Sequence, residues 1–196
     1  MRARLALKIA QINYEIREIE LKAKPASMLS LSAKGTVPVF CLPNGQVLEQ
    51  SLDIMVWAIQ QTSQAEQLLS SNLQNMIGPA VQHWIDLNDR EFKPLLDRYK
   101  YPNRYPEKNQ LDYCQLGLEK MLQPMNSALS QQAFLGGKYF NLADIALLPF
   151  VRQFSKVNDE IWQQLELPDL KRWLEKWLLT SEFDAVMQKN PVWQGD

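Results

Sequence analysis

A single histidine and only two cysteines in 196 residues leave little material for metal or disulfide chemistry. His83 stands between Gln82 and Trp84 with no Cys or His at ligand spacing, so no metal site is expected around it. Cys41 and Cys114 are too few for a disulfide framework, and thiols without a staple pattern point to the cytoplasm. An excess of either charge is also lacking. Lys+Arg number 21 against 22 Asp+Glu, a formal net charge of −1, which argues against nucleic acid, an anionic membrane or a polyanionic substrate as partner. No apolar stretch reaches membrane-spanning length. The opening MRARLALKIAQIN imitates a secretory signal, but Lys8 interrupts its apolar run, and Glu15, Glu18 and Glu20 do not suit a mitochondrial presequence. Repeats and low-complexity tracts are absent from the sequence.

What is present is a globular pattern, 46% hydrophobic and 22% charged, able to bury a substantial core. Leu5, Ile9 and Ile12 fall on one face of a helix. Residues 14–21, rich in Ile and Tyr, read as a strand whose alternation slips at Arg17-Glu18. Lys24-Pro25 breaks that element, and after Gly35 the run 37–40 reads as a short buried strand. Asn44-Gly45 is the favoured dipeptide of a two-residue hairpin turn, so residues 37–42 and 46–49 are expected to pair antiparallel. Ser51 is positioned to cap a helix with Asp53 in its first turn and Ile54, Trp57 and Ala58 on its apolar face.

Beyond residue 62 the text is helical. Segments 76–93, 111–130, 143–157 and 169–176 carry the 3.6-residue period, and no second strand cluster appears. The spacing gives three parts: residues 1–62, a polar joint at 63–72, and an all-helical part at 73–196. Asn141-Leu142-Ala143-Asp144, after the Gly136-Gly137 turn, has the form of a capping box at a buried helix start. The stretch DRYKYPNRYPEK, residues 97–108, interleaves basic and aromatic side chains. Without a broad basic face it reads as a proline-bearing helix connection rather than a single-strand nucleic-acid site. Trp57, Trp84, Trp162, Trp173 and Trp177 fall mostly on helical faces and read as packing residues.

Pro38 sits inside an apolar run although proline cannot complete a sheet ladder. A cis bond at Pro38 would leave the Val37 N–H and C=O as an unpaired edge for a peptide-like ligand. Gln50-Ser51, a few residues on, stands at a helix N-terminus, where free N–H groups, a hydroxyl and the helix dipole favour a carboxylate. Backbone pairing beside an anion site calls for a short peptide with an exposed α-carboxylate.

Four sequence features carry a resemblance: K-P at Lys24-Pro25, G-T-V-P-V at 35–39, Q-S-L-D-I at 50–54 and N-L-A-D at 141–144. On these, over nearly its whole length, the chain resembles the glutathione transferases, and within them the cysteine-type bacterial and omega-like branch. The resemblance implies an α/β thioredoxin-like N-terminal domain followed by an all-α domain. It implies glutathione as cosubstrate, a small electrophile or mixed disulfide as second substrate, and a homodimer. By position, Val37 would pair with the cysteinyl part of glutathione, Pro38 would be the cis proline, and Gln50 and Ser51 would hold the γ-glutamyl carboxylate. Lys24 would lie near the glycyl end, and Asn141 and Asp144 would be structural. The resemblance also places a first strand and a C-P-Y-A-like motif directly before the M-R-A-R-L-A-L helix, where this sequence begins with Met1. The catalytic position is therefore expected to be missing from the chain, which leaves a non-catalytic glutathione-binding or protein-interaction module as the alternative. Neither Cys41 nor Cys114 has basic neighbours or a C-x-x-C partner to replace it.

Overall fold

The computed structural model describes residues 1–61 and 76–195. The joint expected at 63–72 lies outside them. The described residues form two compact units, one of 1–61 with 181–195 and one of 76–180.

In the first unit, helix α1 (Arg2–Ile9) buries Leu5, Ala6 and Leu7 and packs on α3 (Ser51–Gln61), whose Ile54, Met55, Ala58 and Ile59 are buried. The helical face expected to run from Leu5 to Ile12 is cut short. Gln11 adopts a φ of 54°, and the Ile12 N–H reaches the Leu7 carbonyl at 3.0 Å while the Gln11 N–H reaches Lys8 at 3.0 Å. This pair of bonds is a Schellman ending, here without the glycine that normally announces it. Helix α2 (Ala26–Leu31) buries none of its residues.

Residues 14–21 do not form the expected strand. Glu18 makes an isolated parallel bridge with Val192, the Trp193 N–H donates to the Glu18 carbonyl at 2.8 Å, and Glu20 bridges Ala23. A strand exists only where a neighbour completes its ladder, and the described neighbours meet this segment at single points. The sheet that does form is the hairpin of β1 (Phe40–Cys41) and β2 (Val47–Leu48). Phe40 leans edge-on against Trp57 of α3, with ring centroids 5.3 Å apart. The closing helix α11 (Ser181–Met187) packs on α1, so residues grouped with the helical part by their sequence belong to the first unit. Phe183 and Val186 of that helix are buried.

The elements of the second unit are all helical among the described residues, with one isolated antiparallel bridge between Phe134 and Gly137 in a loop. The unit runs α4 (Pro79–Leu87), α5 (Lys93–Lys100), α6 (Gln110–Gly117), α7 (Gln123–Gln131), α8 (Leu142–Ser155), α9 (Asp159–Gln164) and α10 (Pro168–Leu178). The short α9 and α11 carry too few turns for the sequence period to reveal them. A π-turn (Asn88–Phe92) joins α4 to α5 and another (Leu118–Leu122) joins α6 to α7. Each precedes a proline, Pro94 or Pro124. The Lys93 N–H bonds the Asn88 carbonyl and the Gln123 N–H that of Leu118, five residues back. Widening the turn in this way relieves the clash a proline ring makes with the carbonyl four residues before it. Helix α8 is buried nearly all round, from Leu142 to Leu148 and at Val151 and Phe154. Phe154 stacks with Phe92 at 5.8 Å and meets Tyr99 at 4.8 Å.

Candidate functional site

The hairpin turn differs from the two-residue form expected at Asn44-Gly45, and proline is the reason. In a turn centred on Asn44-Gly45 the preceding residue must donate an N–H, and Pro43 has none. The bonds move one residue back. Leu42 N–H donates to the Gln46 carbonyl at 2.8 Å, and Gly45 N–H donates to the Leu42 carbonyl at 2.9 Å. Gly45, with φ 86°, closes the resulting three-residue loop.

The shifted turn fixes a register of Phe40 with Leu48 and Cys41 with Val47. The two strands lead out to Val37-Pro38 on one side and to Gln50-Ser51 on the other. The Val37–Pro38 bond is cis. Val37 is not the buried strand residue expected from its apolar run, being 51% exposed. Its N–H and C=O form no hydrogen bond with another described residue.

Gln50 rather than Ser51 takes the capping position of α3, since the Gln50 carbonyl accepts the Ile54 N–H at 3.1 Å. Ser51 is thus the first helical residue, with its own N–H among those that an α-helix leaves unpaired. The Ser51 hydroxyl has no partner among the described residues. Beside this helix start, Glu49 accepts the hydroxyl proton of buried Ser32 at 2.5 Å and pairs with Lys34 at 3.6 Å. The Ser32 hydrogen bond, assisted by Lys34, holds the Glu49 carboxyl below the usual carboxylate range. Glu49 so ties the segment leading to Gly35 onto the start of α3. Ser32 and Glu49 are 17 positions apart, and no local pattern announces their contact.

Lys24 is exposed, and its side chain runs along Gly35. A Cβ at Gly35 would lie 3.4 Å from the Lys24 Nζ and 3.3 Å from a Leu29 methyl. With φ 56°, in the left-handed region, this buried position favours glycine. Lys24 therefore stands beside Gly35, two residues before Val37-Pro38. One unit gathers an unpaired backbone edge, an open helix N-terminus with a hydroxyl, and a lysine. Such a set can hold an extended, peptide-like anion.

Cys41 is exposed, with its Sγ directed at the Leu42 carbonyl at 3.6 Å. Cys114 is buried, and burial pushes its thiol up, away from the reactive thiolate. His83 is exposed and lies 5.9 Å from the Trp84 ring. No group of three or more His, Cys, Asp or Glu among the described residues is placed to hold a metal ion, and no described helix is long and apolar enough to cross a membrane. Trp162 and Trp173 are buried, while Trp57, Trp84 and Trp177 are half-buried.

Asn141 and Asp144 form a buried capping box at the start of α8. The Asn141 Oδ1 accepts the Ala143 N–H at 3.0 Å, and the Asp144 Oδ2 accepts the Asn141 N–H at 3.1 Å. The Asp144 Oδ1 takes two more donors, Leu135 N–H at 3.1 Å and Trp173 Nε1 at 2.9 Å. Burial pushes the Asp144 carboxyl up to about 7, against the pull of those N–H groups.

Residues 1–61 match the glutathione S-transferase N-terminal domain family, and residues 87–178 match the glutathione S-transferase C-terminal domain family. No curated protein matches the chain. Among solved structures, it is similar to BphK, a bacterial glutathione transferase in a ternary complex. The TM-score is 0.77 and the identity 20%, over 95% of this chain and 92% of that one. The transferase URE2P6 of Phanerochaete chrysosporium, in complex with oxidised glutathione, gives a TM-score of 0.78 and 17% identity over 94% and 88% of the two chains. A family member from Pseudomonas fluorescens Pf-5 with two glutathione molecules bound gives 0.72 and 17% over 94% and 86%. At these identities the likeness is one of fold.

Proposed function

Because the chain belongs to the glutathione S-transferase family, with a thioredoxin-like N-terminal domain followed by an all-helical one, we propose that its first unit binds glutathione along the Val37–Ser51 edge. The observation that carries this reading is the hairpin, whose strands lead out to the unpaired Val37 backbone on one side and to the open N-terminus of α3 on the other. The cysteinyl backbone of glutathione pairs with Val37 beside cis Pro38. The γ-glutamyl carboxylate rests on Gln50, the Ser51 hydroxyl and the N–H groups opening α3. Lys24 faces the glycyl carboxylate. Two structurally similar proteins with glutathione bound support the choice of ligand.

The partner substrate in this reading is a small electrophile or a mixed disulfide. The glutathione sulfur forms the new bond, and the leaving group, or the thiolate of the split disulfide, departs with the electron pair. The protein is a cytoplasmic homodimer in the same reading, and its two free cysteines fit a reducing compartment. No side chain of the chain is assigned as nucleophile.

Titration calorimetry with reduced glutathione tests the site. Saturable binding is expected. Ser51→Ala removes one charge-assisted hydrogen bond and should weaken binding by about 1.5–3 kcal/mol. Equal affinity in wild type and Ser51→Ala would sink the assignment.

A further inference from the structure

Three of the described helices carry an aspartate three residues beyond the capping position: Asp53 in α3, Asp112 in α6 and Asp144 in α8. In α6 and α8 the cap is an asparagine, and the box closes in both directions. The Asp112 carboxylate accepts the Asn109 N–H at 3.3 Å while the Asn109 Oδ1 accepts the Asp112 N–H at 2.8 Å, and Asp144 accepts the Asn141 N–H in the same way at 3.1 Å. At α3 the cap is Gln50, outside the short polar residues that cap well, and neither direction is made. Among the described residues, the Gln50 and Ser51 N–H groups have no acceptor, and the Asp53 carboxylate has neither a donor nor an ion pair. Exposure alone does not account for the difference. The Asn109–Asp112 box is exposed and closed, whereas the one at Gln50 and Asp53 is exposed and open.

An acid in a first turn commonly does no more than answer the helix dipole. At α3 that role conflicts with the anion site proposed above. A ligand carboxylate on the Ser51 hydroxyl and the neighbouring N–H groups would share the helix end with a second negative charge, and like charges so close repel. The conflict disappears for a ligand that brings its own cation beside its carboxylate. Glu49 does not take that cation, being engaged by Ser32 and Lys34. Asp53 is the free acid of this helix start.

Resting on the glutathione reading, we propose that Asp53 is the specificity residue of this site. It accepts the α-ammonium of the γ-glutamyl group while the adjoining carboxylate lies on Ser51 and the N–H groups opening α3. Bound in this way, the ligand closes the box that the chain leaves open. Its carboxylate takes the place of the capping oxygen, and its ammonium the place of the N–H that Asp112 and Asp144 each receive. The ligand class is an unblocked α-amino acid head group, and a tripeptide with the carboxylate but no ammonium is disfavoured by the Asp53 charge.

The test is titration calorimetry of the full chain with glutathione and with glutaryl-cysteinyl-glycine, which has hydrogen in place of the α-ammonium and keeps both carboxylates. Wild type should bind glutathione about fivefold tighter than the analogue. Asp53→Asn, at an exposed side chain, should weaken glutathione about fivefold and bring the two affinities together. Ser51→Ala should weaken both tripeptides in step, because both carry the carboxylate it holds. A field effect of Asp53 without contact would leave glutathione binding as it is and tighten only the analogue; that result overturns the proposal, as does a wild type that binds both tripeptides alike. With Ser51→Ala weakening both and Asp53→Asn changing neither, the glutathione site stands and the role of Asp53 falls. If neither tripeptide saturates, both fall.

Discussion

Asp144 receives three N–H groups on two buried oxygens, and its loss would orphan all of them at once. At about 1–3 kcal/mol for each buried donor left without a partner, Asp144→Ala should cost ~3 kcal/mol or more, read from urea midpoints. The same carboxyl makes a pH prediction. With its folded pKa raised to about 7, the folded state holds a proton that the unfolded chain releases in the ordinary carboxyl range near ~4. Stability from this group is therefore full below that range and is lost as pH rises toward 7, then level. Wild type should show a lower urea midpoint at pH 8 than at pH 5, and Asp144→Asn should flatten the difference; an undiminished slope in the variant would assign the titration elsewhere. In the first unit the comparable test is Glu49. If its tie to Ser32 and Lys34 positions the glutathione edge, Glu49→Ala should weaken glutathione binding more than Glu49→Gln, which keeps an acceptor for Ser32. Identical affinities in wild type, Glu49→Ala and Glu49→Gln would show that the tie is idle.

Among the elements, the paired helices α4–α5 and α6–α7 share one device, a π-turn placed just before a proline. The two π-turns also pack on each other, close to Gly117 at the end of α6. Alanine suits a helix better than glycine by about 1 kcal/mol, so propensity alone favours Gly117→Ala. Packing opposes it. A Cβ there would stand 3.0 Å from Phe154 and 3.4 Å from Phe92, rings already buried against each other and against Tyr99. Overpacking costs of about 1–3 kcal/mol outweigh the propensity gain, and thermal unfolding should show a net loss. An increased melting temperature would mean that Phe154 yields freely.

These elements also show what a sequence reveals and what it withholds. The long helices and the Asn141 box were readable because period and cap chemistry are local. The hairpin was readable in existence but not in form, since Asn44-Gly45 is a strong signal and the missing N–H of Pro43 a quieter one. The end of α1 was hidden because Gln11 occupies a left-handed position that usually advertises itself as glycine. Residues 14–21 misled because a strand is a property of its neighbours. Within the candidate site, Lys24, Val37, Pro38, Gln50 and Ser51 could be nominated from motif and resemblance. The Ser32–Glu49 tie could not, as it depends on contact between distant positions.

On the scale of the whole chain, the first unit takes its residues from both sides of the helical one. Trp193 donates its N–H to Glu18 and lies 4.6 Å from the Arg17 guanidinium, while α11 covers α1. Trp193→Ala should therefore speed amide exchange in α1 and at residues 17–18 and leave α8 untouched; exchange that rises equally in both units would contradict the division. The arrangement also orders events during synthesis. Helix α1 is translated before the helical unit and the helix that covers it after that unit, so the apolar side of α1 must wait for α11 while the helical unit has its whole sequence in hand. The nascent chain thus completes the helical unit before the first unit, and for that interval the proposed glutathione edge belongs to an unfinished unit. A ribosome stalled ahead of α11 should carry a protease-resistant helical unit behind a first unit that is still readily cut.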